Sequence, residues 1–293
     1  MTENSRWRFE AGDLITPELT AMRLLGGGSA YEAYLAFDEI TYSPVVVKVV
    51  RPDQVESSSA LRGLRREVAA LEAVKHPVVV RGLRHVADGD RPHLVLEHID
   101  GPRLSSLIRR HGPLQEQQYL PLAIDVAAAL HYFRHTGWVH LDIKPSNIIM
   151  GSPARLIDLS VMRTAEQAEA LIDPIGTDAY MAPEQTEPPH TGTPSYAADV
   201  WGLGASLHHA ITGERPFPKG DPDAPQRAER FPQLVIPAGP LPSGTPVAVC
   251  DVVSACLDPK PANRPLPAEI ADAFQPVLEA QPRGRLAGFK IRR

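Results

Sequence analysis

The feature that most constrains this sequence is a short polar loop, residues 140–147, in which Asp142, Lys144 and Asn147 follow one another at fixed intervals. A second acid, Asp158, comes after the next apolar segment. Such a set can present a carboxylate to a hydroxyl group, an ammonium to a phosphate, and an amide and a carboxylate to a metal ion. Phosphoryl transfer requires these groups because its catalysis consists mostly of positioning and charge neutralisation. The complete set therefore predicts phosphoryl-transfer chemistry.

Length and composition narrow the class of protein. The 293 residues can hold one large domain or two lobes, and contents of 43% hydrophobic and 22% charged residues are typical of a globular protein. The net charge of −5 argues against a nucleic acid as the main partner. No apolar run approaches the roughly 18 residues of a membrane span, and residues 1–10 lack an apolar signal segment, so we expect a cytoplasmic protein. Cys250 and Cys256 have neither redox nor zinc spacing and are expected to be reduced and structural.

The order H-x-D-x-K-x-x-N followed by D in residues 140–158 resembles the catalytic and metal-binding loops of the protein kinase family. The resemblance implies that Asp142 is the base that accepts the proton of the attacking hydroxyl. It also implies that Lys144 neutralises the γ-phosphate, and that Asn147 and Asp158 hold the Mg²⁺ ions that bridge the phosphates.

A lysine, Lys48, interrupts the apolar run 44–50, which predicts a buried strand. Burying a lysine is costly unless it is paired, although a lysine on an edge strand can keep its charged end in water. Glu67, on the predicted helix 59–74, is the candidate partner, and an ordinary exposed helix acid is the alternative. The pair resembles the kinase pair that positions the α- and β-phosphates of ATP.

Residues 24–36 predict a strand, a glycine turn and a second strand. Glycines let backbone N–H groups approach a polyphosphate, although a plain hairpin is the commoner use of such a turn. The segment is similar to the kinase nucleotide loop G-x-G-x-x-G, with Gly26 and Gly28 as the first two glycines and Tyr31 in place of the third.

The apolar strand and turn at residues 94–101 look like the kinase hinge. There the backbone groups of Glu97 and Ile99 would form hydrogen bonds with adenine, and Leu96 would guard the back of the pocket. The resemblance implies that the ATP-binding residues are Leu25, Gly26, Gly27, Gly28, Ala33, Val46, Lys48, Leu96, Glu97, Ile99 and Ile149.

Residues 176–185 closely resemble the end of the kinase activation segment, G-T-x-x-Y-M-A-P-E. The resemblance implies that Thr177 bonds the catalytic-loop lysine and the base, which favours Ser or Thr hydroxyls over Tyr as acceptors. It also implies that Arg264, in the D-P-x-x-R-P element, pairs with Glu184 in a buried salt bridge. Asp199 is expected to cap amides of the catalytic loop.

Four departures from the family pattern bear on activity, Tyr31, Val46, Leu141 and Ser160, while Leu159 in place of the usual phenylalanine keeps an apolar residue. Tyr31 is expected to narrow the phosphate side of the nucleotide loop, and Val46 stands where alanine usually faces the adenine ring. Ser160 stands two residues after the metal-binding acid, at a position where the family usually has glycine. In relatives with arginine at the position of Leu141, that cation commonly receives an activating phosphate. We therefore expect constitutive activity, or control by a partner.

These observations predict an α+β, bilobal protein kinase-like fold with a strand-rich N-lobe (14–99) and a helical C-lobe (100–280). The chain is identified as a member of the eukaryotic-like serine/threonine protein kinase family of bacterial type, represented by the catalytic domain only. Residues 1–13 are expected to be a flexible lead-in. The basic tail 281–293 is expected to be solvated, with weak docking to an acidic partner or an anionic membrane surface as the alternative.

The expected function is transfer of the ATP γ-phosphate to Ser or Thr hydroxyls of proteins, with ATP and Mg²⁺ as the implied cofactors. A pseudokinase scaffold that binds nucleotide weakly is the alternative, motivated by the four departures. A small-molecule kinase on the same fold is disfavoured because residues 176–184 form the protein-substrate platform in the family.

Overall fold

A computed structural model describes residues 5–188 and 190–281 of the chain. Its architecture confirms the predicted α+β class, with a curled antiparallel sheet in the N-lobe and mainly helices in the C-lobe. The strands are β1 Leu14–Thr16, β2 Leu19–Gly27, β3 Tyr31–Asp38, β4 Ser43–Val50, β5 Gly82–Val86, β6 His93–Glu97, β7 Trp138–Val139, β8 Ile148–Ile149, β9 Arg155–Leu156 and β10 Arg163–Thr164. The helices are α1 Ser58–Ala73, α2 Leu104–His111, α3 Glu116–Thr136, α4 Ala165–Glu169, α5 Pro183–Thr186, α6 Tyr196–Thr212, α7 Arg227–Arg230, α8 Val247–Cys256 and α9 Pro267–Glu279.

The N-lobe sheet has the strand order β1-β2-β3-β4-β6-β5, with antiparallel neighbours throughout. Side chains alternate between the two faces of a strand, so the register assigns each residue to a face. Ala33 lies opposite Lys48, and Val46 lies opposite Leu96, which puts all four on one face. The other face is sealed by an apolar layer that includes Tyr34, Ile15, Val45, Val47 and Val95.

Helix α1 lies against β5 and β6 and carries Glu67. Its first turn is closed by Ser57, whose hydroxyl accepts a hydrogen bond from the amide of Ala60, as favoured N-cap residues do. The buried stripe of Leu64, Glu67, Val68 and Leu71 has helical spacing, so the only acid in it faces the interior.

The C-lobe is organised around α6, which is buried on nearly every side and contacts α3 and α8. A helix that is hydrophobic all round belongs in the interior of a domain. The aromatic ring of Trp201 in α6 stacks on Phe217 at 5.5 Å between centroids. Because α6 is fixed from all sides, its first turn is a rigid platform for the loop that lies on it.

The first described residues differ from the expected flexible lead-in. Trp7 donates its indole N–H to the carbonyl of Val50 at 2.7 Å and its backbone N–H to the Glu32 carboxylate at 3.0 Å. The ring of Phe9 stacks on Trp7, with centroids 5.7 Å apart. These two aromatic residues bury apolar surface and bind the segment to the sheet. The prediction of flexibility considered only the overall polarity of the segment.

The predicted basic tail lies outside the described residues from residue 282 onward, so its docking role stays a prediction. Within the described ranges, no helix combines the length and the apolar character needed to cross a membrane. Cys250 and Cys256 are both free thiols, and Cys256 is buried, which agrees with the structural role predicted for them.

Candidate active site

The loop after β7 is supported from below by α6. The backbone amides of His140 and Leu141 each donate to a different oxygen of Asp199, both at 2.7 Å. Burial raises the pKa of Asp199 to about 7, while the two amide hydrogen bonds act in the opposite direction. Leu141 has a left-handed backbone, with φ of 66°, which an ordinary side chain adopts only when its surroundings hold it there. The predicted cap by Asp199 is thus present, and it fixes the start of the loop.

Three donors orient the carboxylate of Asp142. Thr177 donates its hydroxyl to Oδ1 at 2.8 Å, and the ammonium of Lys144 lies 2.6 Å from Oδ2. The amide of Asn147 donates to Oδ2 at 3.0 Å. Lys144 also donates to the hydroxyl of Thr177 at 2.5 Å, so the activation segment and the catalytic loop are joined at this carboxylate. The structure therefore brings together the three catalytic residues predicted for the C-lobe.

A short hairpin brings Asn147 and Asp158 close to each other. Strand β8 pairs with β9, and the amide of Ile157 donates to the carbonyl of Asn147 at 2.9 Å. Asp158 has φ of 68°, a second left-handed residue at the site. Because the nitrogen of the Asn147 side chain is used by Asp142, its oxygen is the atom that can reach a cation.

The donor set suits magnesium. No group of three His, Cys, Asp or Glu side chains arranged to hold a metal occurs in residues 5–188 and 190–281. Mg²⁺ is usually held by one or two protein oxygens together with phosphate oxygens and water, and not by a protein cage. Asp158 and Asn147 supply such a pair of oxygen ligands, so the residues present fit the ion.

Lys48 links the two lobes through two carboxylates. Its ammonium lies 2.6 Å from Glu67 and 2.8 Å from Asp158. Burial alone would lower the pKa of Lys48, but the two carboxylates raise it above its usual value, so the lysine stays charged. Burial likewise would raise the pKa of Asp158, yet Lys48 and a hydrogen bond from Ser160 hold it well below the usual range. The Lys48 side chain is only 14% exposed and is paired, so its charged end is not held in water. The Glu67 side chain is only 1% exposed, so it is not an ordinary surface acid.

The glycine turn between β2 and β3 needs glycine at two of its three positions. Gly26 has φ of 142°, a conformation closed to other residues. A Cβ on Gly27 would lie 2.5 Å from the carbonyl oxygen of Tyr31, so the two strands could not approach. Gly28 has open space around it, and Leu25 precedes the turn within β2.

The predicted adenine-binding residues surround the junction of the lobes. Ala33, Val46 and Leu96 lie on the sheet face that also carries Lys48. Ile99 lies two residues beyond the end of β6, and Ile149 pairs with Arg103 in an isolated bridge on the C-lobe side.

Glu97 has a contact that its sequence position did not predict. Its carboxylate forms salt bridges with Arg81 in the N-lobe, at 3.2 Å, and with Arg155 in the C-lobe. The Glu97 side chain therefore ties the hinge to β9, in addition to any role of its backbone.

The side chain of Tyr31 extends toward α1. Its hydroxyl donates to the carbonyl of Ala60 at 2.5 Å, and its ring centroid lies 5.4 Å from the ammonium of Lys48. The expectation of a narrowed phosphate side took into account only the bulk of the residue, and did not foresee this helix contact.

Gln185 is a structural residue of the site that the sequence reading missed. Its side-chain amide donates to the carbonyl of Leu141 at 2.8 Å and to that of Ile175 at 2.9 Å. Next to it, Gly176 has φ of 117°, and a Cβ there would lie 2.7 Å from the carbonyl oxygen of Leu141. The activation segment is thus attached directly to the catalytic loop at the residue that replaces the family arginine.

The predicted pair of Glu184 and Arg264 is present and buried. The guanidinium donates to the two carboxylate oxygens at 2.6 and 2.9 Å, and both side chains are 0% exposed. It also donates to the carbonyl of Ala197 at 2.8 Å and lies 5.0 Å from the ring of Trp201. The end of the activation segment is therefore fastened to α6.

The protein kinase class is defined by a domain of two lobes with two features. A cluster of a lysine, a glutamate and an aspartate joins the lobes, and a loop of the C-lobe carries the Asp and Asn beside it. The chain belongs to the protein kinase family, because the sequence model of the protein kinase domain matches residues 19–274.

Curated relatives agree with this membership. Serine/threonine-protein kinase PknB of Mycobacterium leprae is 30% identical over 266 residues, covering 88% of this chain and 40% of that protein. PknB of Mycobacterium tuberculosis is 29% identical over 267 residues, with coverage of 88% and 40%. Serine/threonine-protein kinase PkaA of Streptomyces coelicolor is 30% identical over 243 residues, covering 80% of this chain and 43% of that protein. The chain thus spans about two fifths of the length of the relatives it matches.

Proposed function

We propose that this chain is an ATP-dependent serine/threonine protein kinase that transfers the γ-phosphate to Ser or Thr hydroxyls of proteins. The observation that carries the proposal is the bond network of Thr177, which joins Lys144 and Asp142 across the catalytic loop. An oriented carboxylate beside an ammonium is what general-base-assisted phosphoryl transfer to a hydroxyl requires. The resemblance to the kinase family links a threonine at this position to Ser and Thr acceptors. The serine/threonine kinase names of the relatives are consistent with this assignment.

Each residue then has a distinct task. Asp142, oriented by its three donors, accepts the proton of the attacking hydroxyl, and Lys144 faces the γ-phosphate to compensate its charge. Lys48, held by Glu67, binds the α- and β-phosphates. Asn147 and Asp158 would hold Mg²⁺, which, when bound, would neutralise charge on the phosphate oxygens.

The predicted adenine contacts complete the proposed substrate site. Ala33, Val46, Leu96 and Ile149 would pack against the base, and the backbone of Glu97 and Ile99 would form hydrogen bonds with it. Gly26, Gly27 and Gly28, with Leu25 before them, would let backbone N–H groups approach the polyphosphate.

We further propose that activity does not depend on phosphorylation of the activation segment. The side chain of Thr164 accepts a hydrogen bond from the amide of Gln167 and caps α4, so its hydroxyl already has a structural role. Gln185 joins the segment to Leu141 without any phosphate. The cytoplasmic location stays a prediction.

The pseudokinase scaffold is the second candidate, and the bulky Tyr31 beside Lys48 is the observation that favours it. A scaffold has no need to keep a low pKa at Asp158 or an oriented carboxylate at Asp142, which is why we rank it below the enzyme.

Labelled-ATP transfer to a generic protein substrate separates the two candidates. We expect Mg²⁺-dependent turnover of about 1–100 per second, with label recovered as phosphoserine and phosphothreonine after acid hydrolysis. The Asp142→Asn variant keeps the shape of the side chain and should lose about 10²- to 10⁴-fold in kcat. Nucleotide binding with no transfer would support the scaffold, and equal transfer by both proteins would show that Asp142 is not the base.

A further inference from the structure

A single side chain, Tyr31, contacts both Lys48 and the helix that carries Glu67, the ion-pair partner of that lysine. Its hydroxyl donates to the carbonyl of Ala60 in the first turn of α1, at 2.5 Å. Its ring lies 5.4 Å from the ammonium of Lys48, the partner of Glu67. Tyr31 begins β3 directly after the glycine turn, so it connects that turn to the helix that carries Glu67.

Helix α1 has a matching space for the tyrosine hydroxyl. A Cβ on Gly63 would lie 2.6 Å from the hydroxyl oxygen of Tyr31 and 3.8 Å from the ring carbon that bears it. Glycine is less favourable than alanine inside a helix, so a mid-helix glycine calls for a reason. The tyrosine hydroxyl supplies that reason, since any larger residue would occupy its position.

The hydroxyl is suited to act as a donor. Partial burial raises the pKa of Tyr31 above its usual value, although the charge of Lys48 opposes the effect. The phenol therefore keeps its proton at neutral pH. Its partner is a backbone carbonyl, which moves only if the helix itself moves.

We propose that Tyr31 is a positioning residue that fastens α1, and with it Glu67, to the glycine turn, with Gly63 as its receptor. The inference rests on the proposed kinase function for its kinetic consequence, which is the position of Lys48 relative to ATP. Because the turn and the helix are tied together, a nucleotide that orders the turn also orders the helix, and the coupling is reciprocal. The position of α1 on the N-lobe side of the site would then need no phosphate. In the same way, the activation segment on the C-lobe side is held by Gln185 without one.

The Tyr31→Phe variant tests the tether directly. Loss of one neutral hydrogen bond should lower kcat/KM for ATP about 2- to 10-fold and leave KM for the protein substrate unchanged. Backbone amides of α1 should exchange with deuterium faster by a similar factor, while those of α6 should not change. The matched control is Tyr34→Phe, in the same strand, because its hydroxyl bonds Glu32 behind the sheet and not α1.

A double-mutant cycle with Gly63 tests the proposed receptor. Gly63→Ala should lower kcat/KM for ATP at least as much as Tyr31→Phe does, since the new methyl group displaces the hydroxyl. In the Tyr31→Phe background the same change should cause no further loss, because the nearest ring carbon is 3.8 Å away. Equal effects of Gly63→Ala in both backgrounds would overturn the proposal, as would unchanged exchange of α1 in Tyr31→Phe.

The exchange measurements keep this inference separate from the proposed function. If the chain transferred no phosphate, the kinase assignment would fail, yet the α1 exchange rates of the four proteins in the cycle would still test the tether. If transfer were normal in all four proteins and α1 exchange were unchanged, the tether would fail and the kinase assignment would stand.

Discussion

The two sides of the active site are held by contacts of different kinds. On the C-lobe side, Asp199 and the pair of Glu184 and Arg264 are buried, with 0% exposure for both side chains of the pair. On the N-lobe side, Glu67 is also buried, at 1% exposure, but its partner Lys48 is 14% exposed and is shared with Asp158 of the C-lobe, which is 39% exposed. The C-lobe contacts thus belong to the folded core, whereas the N-lobe contacts lie at the cleft between the lobes.

This difference predicts which substitutions lower both stability and activity and which lower mainly activity. Breaking a buried contact in the C-lobe leaves an uncompensated group in the core, so it should unfold the domain as well as inactivate it. Breaking the contact of Lys48 with Glu67 leaves Lys48 partly exposed and still paired with Asp158, so it should reduce activity with a smaller loss of stability. The first two of the four predictions that follow measure this contrast, and the other two concern smaller effects within the C-lobe.

The largest effect on stability is expected for Arg264→Ala. Removing the cation leaves Glu184 buried without a partner, which should lower the free energy of unfolding by about 3–5 kcal/mol. Denaturant titration followed by circular dichroism measures the change. The matched control is Arg227→Ala, because the pair of Arg227 and Glu187 is 42% and 39% exposed and should contribute about 0–1 kcal/mol. Equal losses in the two variants would remove the contrast between buried and exposed contacts.

The next effect is expected at the cleft, for Glu67→Gln. The amide keeps the shape of the side chain but removes the charge that orients Lys48, so kcat/KM for ATP should fall about 10- to 100-fold. The free energy of unfolding should fall less than in Arg264→Ala. Steady-state kinetics and denaturant titration on the same preparation give both values. A stability loss as large as that of Arg264→Ala would mean that the N-lobe cluster is part of the core after all.

A smaller effect is expected for Thr164→Ala. Loss of the helix cap should lower the local stability of α4 by about 1 kcal/mol, with kcat unchanged. Hydrogen exchange over residues 164–170 and steady-state assays check the two parts of this prediction. A Thr164→Ala enzyme that is inactive, together with wild type that gains activity when Thr164 is phosphorylated, would contradict the proposed independence from phosphorylation.

The smallest effect is expected in the pH dependence of stability and concerns His209. Its Nδ1 lies 2.7 Å from the hydroxyl oxygen of Tyr180. Burial, helped by Arg215, lowers the pKa of His209 to about 4. The unfolded chain binds a proton near the usual histidine pKa, so the stability from this group is complete above about pH 6.5 and is lost as the pH falls toward 4. His209→Asn should reduce that acid-side loss by on the order of 1 kcal/mol, measured by thermal unfolding between pH 4.5 and 7.5. An unchanged pH dependence would show that His209 titrates normally in the folded protein.

Much of the site could be predicted from the sequence because its residues lie in short motifs. Asp142, Lys144 and Asn147 share one loop, so local spacing alone indicated their chemistry. The long-range pair of Glu184 and Arg264 came from the resemblance to the kinase family, since nothing in the spacing of two residues 80 positions apart predicts a contact.

Contacts between residues outside motifs could not be predicted. The Tyr31 hydroxyl donates to the backbone carbonyl of Ala60. Every residue has such a carbonyl, so the residue type at position 60 does not indicate the contact. Gln185 likewise bonds two carbonyls, so its partners have no side-chain signature. Arg84 binds the buried Asp38 because β5 and β3 belong to the same curled sheet, a relation that appears only once the strand order is known.

The most direct test of the account is the first turnover of the chain in its unphosphorylated form. The protein would be treated with phosphatase, verified by mass spectrometry, and mixed with labelled ATP, Mg²⁺ and a protein substrate in a rapid-quench instrument. We expect product from the first turnover without a lag, at a rate that prior incubation with ATP does not raise, because the site is assembled by Asp199, Gln185 and Arg264. A lag that disappears after the chain has phosphorylated itself, or no turnover at all, would contradict the account.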